Sequence, residues 1–484
     1  MFYLVGLPDS AVKESHQRII SALQVNGYRM PTSNIVINMA PADIRKEGAA
    51  YDLPLAIGIL AASEVIQSDK LERYLLMGEL SLDGSLQPIK GALPIAIKAR
   101  ELGFEGMIVP QQNAHEAAVV NNLKVYGAGN IKEVIEFFNG TQELTPTLVN
   151  TREEFYSQQS NFDFDFAEVK GQENVKRALE VAASGSHNIL LIGSPGSGKS
   201  MLAKRLPSIL PPLSLGESLE TTKIHSVAGK LGKDGGLISK RPFRAPHHTI
   251  STVAMTGGGS FPQPGEISLA HNGILYLDEL PEYSRNVLEV LRQPLEDRKI
   301  TVSRIRCNVE YPASFMLVAS MNPCPCGYYT HPTKACVCSP GQVQKYLNRI
   351  SGPLLDRIDL QIEVTPLPFE EMADSRPGES SATIRERVIR ARQIQEARYA
   401  DIPGIYCNAQ MNSKLLARHA RPDDKGLAML ENCQNRLNLS ARAYDRILKV
   451  SRTIADLEDC ESIQPAHLAE AIGYRNLDRE DWAG

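Results

Sequence analysis

Residues 193–200 have the types and spacing of a phosphate-binding loop. They follow a short apolar run and precede a helical pattern, which is the context that such a loop requires. Glycines let consecutive backbone N–H groups face phosphate oxygens, while the lysine reaches the β and γ phosphates and the last serine holds Mg²⁺. In order, the residues are Gly193, Ser194, Pro195, Gly196, Ser197, Gly198, Lys199 and Ser200. Although a chance glycine-rich turn is the alternative, the pattern predicts a site for ATP with Mg²⁺.

Polar residues follow two later apolar runs. Asp278 and Glu279 come directly after residues 273–277. At the end of a buried strand, Asp278 can ligate Mg²⁺ and Glu279 can polarise an attacking water. Alone, such a pair is more often a helix N-cap and a solvated charge, but the phosphate loop favours the catalytic interpretation. Asn322 follows the next run and can orient the same water, although a lone Asn there is usually a turn former.

Four cysteines occupy one short segment as two Cys-x-Cys pairs separated by nine residues. Four thiolates bind zinc tetrahedrally and can hold a loop that has no core of its own. The gap within each pair is one residue rather than the familiar two, so reduced, unligated thiols are the alternative. His331 lies inside the segment and could replace one ligand. The four candidate zinc ligands are Cys324, Cys326, Cys336 and Cys338.

A basic segment at residues 223–260 carries six Lys or Arg against one acid, in a chain whose net charge is -4. Because it is rich in Gly and Pro, we expect loops that project from the sheet and contact DNA phosphates without sequence preference. A hairpin-like run at residues 298–309 is a second candidate. The alternative is that these charged residues lie on a solvated surface or interact with the nucleotide. The candidate DNA contacts are Lys230, Lys233, Arg241, Arg244, Arg304 and Arg306.

The elements that must position these residues follow from hydrophobic patterning. Apolar, β-rich runs at residues 188–192, 273–277 and 314–320 are spaced widely enough for crossover helices, which predicts an α/β domain with a parallel sheet. A chain of 484 residues is long enough for about three domains. We expect an α/β module at 1–140, a linker at 141–165, the nucleotide-binding domain at 166–369, a second linker at 370–383 and a helical region at 384–484.

Composition excludes several classes of protein. With 43% hydrophobic and 22% charged residues, the chain is neither disordered nor fibrous. It lacks the run of about 18 to 20 apolar residues that a membrane span needs. The absence of a signal peptide, together with only eight Cys, predicts a soluble protein of the reducing cytoplasm.

Together the motifs resemble the AAA+ ATPases, and three further runs resemble the magnesium-chelatase-like YifB/ComM family. These runs are PGEISLAHNG at 264–273, NPCPCG at 322–327 and SGPLLDRID at 351–359. The resemblance implies a P-loop AAA+ domain with a C-terminal helical lid and ATPase sites shared between subunits of a ring, expected to be a hexamer. The implied roles are sensor 1 for Asn322, arginine finger for Arg357, sensor 2 for Arg442, and adenine contacts for Val169 and Gln172. For Arg357, the alternative is an ion pair with Asp356 or Asp359. For sensor 2, Arg446 is a possible substitute for Arg442.

The N-terminal module resembles the proteolytic domain of Lon and the related domain of RadA-type proteins. The similar runs are KEGAAYDL at 46–53, GELSLDG at 78–84 and PIKG at 88–91. Ala50 stands where Lon has its nucleophilic serine and Leu93 where it has its lysine base, so we expect assembly or nucleic-acid binding rather than peptidase activity. Since the chain opens inside a strand-like run, we also expect an edge strand upstream.

These observations predict an AAA+ ATPase that couples ATP hydrolysis to movement on DNA. The family resemblance implies a helicase or branch-migration motor in recombination of incoming DNA, with recombination or DNA-uptake proteins as partners. A magnesium-chelatase-like motor that remodels a protein partner is the alternative. A non-hydrolysing scaffold is disfavoured, because a pure nucleotide binder does not need Glu279.

Overall fold

The computed structural model describes residues 2–41, 46, 48–232, 235–259, 262–304, 307–329, 331–368, 376–437 and 440–475, with the backbone alone at 304, 307 and 435–437. The strands are β1 (Phe2–Val5), β2 (Ile35–Asn38), β3 (Tyr74–Leu76), β4 (Glu79–Leu80), β5 (Leu86–Gln87), β6 (Gly106–Pro110), β7 (Lys124–Ala128), β8 (Ile189–Ile192), β9 (Phe243–Arg244), β10 (Gly257–Gly258), β11 (Gln263–Pro264), β12 (Ile274–Leu277), β13 (Lys299–Arg304), β14 (Cys307–Pro312), β15 (Met316–Met321) and β16 (Leu360–Glu363).

Helices account for most of the remaining regular structure. They are α1 (Ser10–Val25), α2 (Asp52–Ala62), α3 (Ala92–Glu101), α4 (Gln111–Ala118), α5 (Ile131–Phe138), α6 (Thr151–Gln158), α7 (Glu173–Gly185), α8 (Lys199–Arg205), α9 (Leu215–Ala228), α10 (Thr252–Thr256), α11 (Glu266–Leu269), α12 (Arg285–Glu289), α13 (Arg292–Asp297), α14 (Pro340–Leu347), α15 (Gly352–Leu355), α16 (Ser381–Tyr399), α17 (Ser413–His419), α18 (Asp424–Leu437), α19 (Ala441–Leu457) and α20 (Pro465–Gly473). Within the described residues, no helix combines the length and apolar character needed to cross a membrane.

The chain divides into two compact units. One consists of Met1–Gln158 together with Leu215–Ser239, and the other of Gln159–Ser214 together with Lys240–Gly484. The first unit therefore includes a segment that lies, in sequence, within the predicted nucleotide-binding domain.

The N-terminal unit builds its core between short strands and helices. β1 pairs with β2, and β6 lies between β3 and β7, all in parallel, while β4 and β5 are antiparallel. Apolar residues of α1 recur at the spacing of one helix face, where Val12, Ile19 and Leu23 are fully buried. His16 and Ile20 flank this face and are only partly buried.

The second unit is organised around a five-stranded sheet in the order β16, β8, β15, β12, β9, with every neighbouring pair parallel. The predicted parallel sheet is thus confirmed. β8, β12 and β15 are predominantly apolar strands whose residues are all buried, as strands covered on both faces require. Because parallel strands end at the same edge, the polar residues after these strands meet at the carboxyl edge of the sheet.

The C-terminal helices belong to this second unit. α16 and α19 contact α7, and α20 contacts α19, so one hydrophobic core continues from the sheet into the helical region. A buried ion pair supports it, since Arg398 donates to both oxygens of Asp456 at 2.6 and 2.8 Å. α20 begins at Pro465, as the preference for Pro at the first helical position predicts.

The predicted loop conformation is wrong for the first part of the basic segment, where the structure has helix α9. Polar residues of this helix are buried with their hydroxyls satisfied. Thr221 and Thr222 each donate at 2.7 Å to the carbonyl four residues earlier. Ser226 donates to the buried carboxylate of Glu116 in the N-terminal unit at 2.5 Å. The Gly and Pro content that predicted loops therefore does not apply to residues 223–228, which continue a helix whose partners lie far away in sequence.

Candidate nucleotide site

The phosphate loop connects β8 to α8 at the carboxyl edge of the sheet. Gly196 and Gly198 have φ angles of 79° and 93°, which L-residues rarely adopt. A Cβ on Gly193 would lie 2.3 Å from the carbonyl oxygen of Val364. The hydroxyls of Ser194 and Ser197 are buried, and within the part of the chain that the structure describes they have no hydrogen-bond partner. A loop of this shape with unsatisfied donors fits phosphate oxygens.

Lys199 is the first residue of α8, and its side chain turns back over the loop. Its Nζ donates to the carbonyl oxygens of Gly193 at 2.7 Å and Ser194 at 2.9 Å, and lies 3.4 Å from Oδ1 of Asn322. Burial lowers the pKa of Lys199, against the opposing effect of the nearby carboxylates. The predicted phosphate ligand and the predicted sensor 1 residue are therefore brought together.

Asp278 follows β12 and is held by hydroxyls from both neighbouring segments. Ser200 Oγ donates to its Oδ2 at 2.9 Å, and Ser320 Oγ donates to its Oδ1. Burial alone would raise the pKa of Asp278, but the hydrogen bonds from Ser320 and Ser200 hold it below its ordinary value. An ionised carboxylate beside a hydroxyl offers the oxygen ligands that Mg²⁺ prefers. The two predicted magnesium ligands, Ser200 and Asp278, are thus adjacent and fit the ion.

Glu279 has a left-handed backbone with φ 54° and ψ 51°, a conformation that costs a non-glycine residue about 1 to 3 kcal/mol. Its side chain is 58% exposed, and Oε2 lies 3.5 Å from Nδ1 of His248. The carboxylate is therefore presented toward solvent beside the partly buried Asp278 carboxylate.

Sequence reasoning did not identify His248 and Ser320 as site residues. Ser320 could have been found, because alternate residues of a strand share a face and Ser320 lies two residues before Asn322. Tyr276 OH is 3.1 Å from Ser320 Oγ, which continues the network into the sheet. His248 gives no comparable signal, since it lies 31 residues before Glu279 in an irregular segment.

A cavity of about 1020 Å³ lies beside the segment predicted to contact adenine. It is lined by residues 170–176, 362–363, 365–368 and 376–378, together with Pro332. Gln172 lines this cavity and donates to the carbonyl oxygen of Thr365 at 2.8 Å. Val169 is fully buried in the hydrophobic core. Of the two predicted adenine contacts, Gln172 therefore lines the cavity, whereas Val169 belongs to the hydrophobic core.

The side chain of Arg357, the predicted arginine finger, contacts residues of its own chain. Its side chain is 7% exposed, pairs with Glu296 at 2.8 Å and donates to the carbonyl oxygens of Arg292 and Pro353. The alternative pairing of Arg357 with the flanking aspartates is not what the structure has. Those aspartates pair instead with the two candidate sensor 2 residues, Asp356 with Arg442 at 3.6 Å and Asp359 with Arg446 at 3.0 Å.

The candidate DNA contacts differ in whether their charged side chains are occupied by partners within the chain. Arg244 forms a bidentate pair with Glu266 at 2.6 and 2.7 Å, and Arg241 donates to three backbone carbonyls. Lys230 is exposed at the end of α9. Intramolecular partners thus occupy both arginines. Lys233, Arg306 and the side chain of Arg304 lie outside the described residues.

The four cysteines of the predicted zinc site converge. Cys324 Sγ lies 3.3 Å from Cys326 Sγ and 3.6 Å from Cys336 Sγ, and Cys338 belongs to the same group, whose sulfurs all lie within 4.8 Å of one another. His331 is not in the group, because its Nδ1 accepts backbone N–H groups of a local turn. The structure thus provides a four-thiol cluster directly after Asn322.

In the N-terminal unit, Ala50 and Leu93 occupy the two positions predicted to match the Lon catalytic pair. Leu93 is fully buried in a hydrophobic cluster, and Ala50 is partly buried beside it. The backbone N–H of Leu93 donates to the carboxylate of Glu116 at 2.9 Å, so that carboxylate caps the start of α3. This part of the unit is built for packing.

Comparison with known proteins places the chain in a family. Models of three parts of a magnesium chelatase subunit match it: subunit ChlI of Mg-chelatase at residues 1–113, magnesium chelatase subunit ChlI at 165–372, and the ChlI C-terminal region at 378–475.

Similar full-length proteins support the same assignment. Competence protein ComM of Haemophilus influenzae is 45% identical over 480 residues, covering 99% of this chain and 92% of the relative. The uncharacterized protein YifB of Escherichia coli is 44% identical over 98% of this chain and 92% of its own length. The magnesium-chelatase 38 kDa subunit of Rhodobacter capsulatus is 26% identical over 33% of this chain and 50% of the subunit. The chain therefore belongs to the ComM/YifB family of magnesium-chelatase-like AAA+ ATPases.

Proposed function

We propose that this protein hydrolyses ATP with Mg²⁺ at the carboxyl edge of its five-stranded sheet and uses the energy to move on DNA. One observation is the main support for ATP hydrolysis. Ser200 and Asp278, on neighbouring segments, meet at 2.9 Å, with Lys199 and Asn322 beside them. Glu279 supplies a carboxylate next to this pair. The proposed cofactors are ATP with Mg²⁺ at the phosphate loop and a zinc ion at the four cysteines.

The proposed mechanism assigns one task to each side chain. The phosphate loop and Lys199 hold the β and γ phosphates, and Ser200 with Asp278 hold the magnesium. When bound, Mg²⁺ neutralises the charge that develops on the phosphate oxygens. Glu279 accepts a proton from the attacking water, and Asn322 orients that water. Because Lys199 is held by carbonyl oxygens of its own loop in this structure, phosphate must replace those contacts when ATP binds.

We further propose that the active form is a ring, with six subunits expected. In a ring, Arg357 leaves Glu296 and stabilises the transition-state charge of a neighbouring site, an effect worth on the order of 10³ to 10⁵ in rate where such residues are known. Arg442 is 58% exposed, so it is free to exchange Asp356 for a phosphate. Because Arg357 pairs with Glu296 within a single chain, Glu296 is proposed to keep Arg357 inactive in a free subunit.

Two observations support DNA as the substrate of movement. The relative ComM is described as a competence protein, which indicates a role in handling incoming DNA. Lys230 adds exposed positive charge in a chain that is acidic as a whole. Partners from recombination or DNA uptake are consistent with this role.

The test is steady-state ATP hydrolysis with single-stranded, duplex and forked DNA across a salt series. We expect DNA to stimulate hydrolysis and the stimulation to weaken steeply as salt rises, because phosphate contacts are displaced by ions. Lys230→Glu should weaken stimulation without changing the basal rate. ATP hydrolysis that is indifferent to every DNA at every salt would contradict the DNA part of the proposal.

A second candidate function is a motor that remodels a protein partner, as in magnesium chelatase. The matches to the ChlI models favour it. Under this alternative, ATP hydrolysis persists but DNA leaves the rate unchanged, so the same experiment separates the two functions.

A further inference from the structure

The cysteine loop, which comprises the described residues 322–329 and 331–339, has no regular structure of its own. Its described residues form neither helix nor strand between the end of β15 and the start of α14. Val337 is 85% exposed, whereas Cys324 is fully buried. A long connection without secondary structure is uncommon inside a compact domain and needs some other constraint. The loop is therefore not held in place by a hydrophobic core.

The distances between the cysteine sulfurs indicate what holds the cysteine loop in place. The Sγ atoms of Cys324, Cys326 and Cys336 lie 3.3 to 3.6 Å apart. A disulfide would bring two sulfurs to about 2.05 Å. Four thiolates about 2.3 Å from a tetrahedral zinc ion lie about 3.8 Å from one another. The observed spacing is close to the zinc value, and it is too tight for thiolates spread around a cluster of several irons.

The chemistry of the loop agrees with a single ion. Cys338 completes the set of four, and its backbone N–H lies 3.4 Å from Cys336 Sγ, a contact that stabilises thiolate charge. His331 is occupied by the turn at Thr333 and Lys334, so the donor set is four sulfurs. Soft thiolates in a tetrahedron select zinc over Mg²⁺ or Ca²⁺.

The loop also contacts the nucleotide site. Gly327 has φ 84°, and a Cβ placed there would lie 2.5 Å from Cδ of Pro195 in the phosphate loop. Pro323, Gly327 and His331 line one small cavity together with Gly193 and other residues of the site. Asn322 stands two residues before Cys324. The loop thus joins the predicted sensor 1 residue to the phosphate loop.

We propose that Cys324, Cys326, Cys336 and Cys338 bind one zinc ion, and that the zinc-held loop fixes the positions of Asn322 and Pro195. ATP binding then depends on a metal that takes no part in the reaction. The second half of this inference rests on the proposed nucleotide site, whereas the metal site stands without it.

The first experiment is elemental analysis of the purified full-length chain, which should contain about one zinc per chain. Cys338→Ser removes a partly exposed ligand and should lower the zinc content well below one. Cys433→Ser, outside the cluster, is the matched control and should retain zinc. Replacement of zinc by Co²⁺ should produce the thiolate charge-transfer absorption of a four-sulfur site. A wild-type chain without zinc, or one that contains iron instead, would overturn the proposal.

The second experiment tests the coupling. Gly327→Ala leaves all four cysteines in place but forces a side chain against Pro195. We expect it to retain zinc and to lower kcat/KM for ATP by up to about 100-fold, since small displacements in an active site have effects of this size. Gly341→Ala is the control, because its Cβ meets no atom within 4 Å.

Calorimetric titration with Mg–ATP separates the two proposals. If Gly327→Ala and Cys338→Ser bind Mg–ATP as the wild type does, the loop does not position the site and the coupling is wrong. A chain that binds zinc but never hydrolyses ATP would instead refute the proposed function and leave the metal site intact.

Discussion

Two buried polar sites, one in each unit, differ in how their hydrogen bonds are satisfied. In the N-terminal unit, the fully buried Asp52 accepts hydrogen bonds from Ser15 at 2.5 Å, Arg18 at 2.6 and 3.0 Å, and the Leu80 N–H at 3.2 Å. In the second unit, the hydroxyls of Ser194 and Ser197 are also buried but have no hydrogen-bond partner among the described residues. An unsatisfied buried hydroxyl costs about 1 to 3 kcal/mol. The first arrangement stabilises a fold, and the second is arranged for a ligand.

The positions equivalent to the Lon catalytic pair support the same distinction. They are occupied by Ala50 and Leu93, and the nearby Glu116 is saturated by hydrogen bonds from Leu93, Asn113 and Ser226. Substitutions in the N-terminal unit should therefore change stability, whereas substitutions at the carboxyl edge of the sheet should change chemistry.

Among substitutions that remove a contact with the nucleotide or its metal, Lys199→Ala should have the greatest effect. Loss of the charge that faces the phosphates should reduce ATP turnover by on the order of 10² to 10³. Lys204→Ala is the matched control, because Lys204 is exposed on the same helix. Steady-state phosphate release measures both variants. Equal loss in the two would show that the effect comes from helix α8 rather than from the phosphate contact.

Asp52→Ala should destabilise the N-terminal unit by about 3 to 5 kcal/mol, because it leaves the Arg18 guanidinium partly buried without its partner. Hydrogen exchange of α2 amides measures the change. The double variant Arg18→Met with Asp52→Leu removes both charges and should recover much of the loss. If the single variant were as stable as wild type, the closed network would not hold the unit together.

Lys449, which lies in the second unit, should make the free energy of unfolding depend on pH. Burial, helped by Arg446, lowers the pKa of Lys449 to about 8, against about 10.4 in an unfolded chain. Between these values the unfolded chain keeps a proton that the folded chain has lost, so the contribution of Lys449 to stability rises with pH. The rise amounts to about 3 kcal/mol.

Urea unfolding at pH 8, 9 and 10 tests this prediction. Lys449→Met should lack the rise that wild type shows, while the titration of other groups is common to both proteins. Parallel pH profiles for the two would exclude Lys449 as the source.

The smallest expected effect is that of Ser320→Ala. It removes one hydrogen bond that keeps Asp278 ionised, so the pKa of Asp278 should rise and Mg²⁺ affinity should fall by about 10- to 100-fold. The concentration of Mg²⁺ required for half-maximal hydrolysis measures the change. Ser314→Ala, placed before the same strand, is the control and should leave the Mg²⁺ requirement unchanged.

Much of the nucleotide site was predictable because it depends on local sequence. The phosphate loop is a contiguous motif, and Asp278 and Asn322 follow apolar runs whose parallel arrangement brings their ends to one edge. Ser320 was within reach of the same reasoning through strand alternation. The parallel sheet, helix α1 and the start of α20 also follow from periodicity and cap residues, and the structure confirms them.

The remainder depends on contacts between residues distant in sequence. Helix α9 joins the N-terminal unit through partners such as Glu116, which lies 110 residues from Ser226. The burial of Arg357 depends on Glu296, a residue of α13 that no motif links to it. The four cysteines converge from both sides of the turn at His331. No spacing rule encodes these encounters.

Rapid mixing of Mg–ATP with Glu279→Gln decides whether this carboxylate activates the attacking water, with Glu282→Gln from the same turn as the control. We expect Glu279→Gln to bind ATP with near wild-type affinity but to release phosphate more slowly by about 10² to 10⁴, and we expect the control to hydrolyse normally. Normal phosphate release by Glu279→Gln would contradict the assignment of the hydrolytic site to this edge of the sheet.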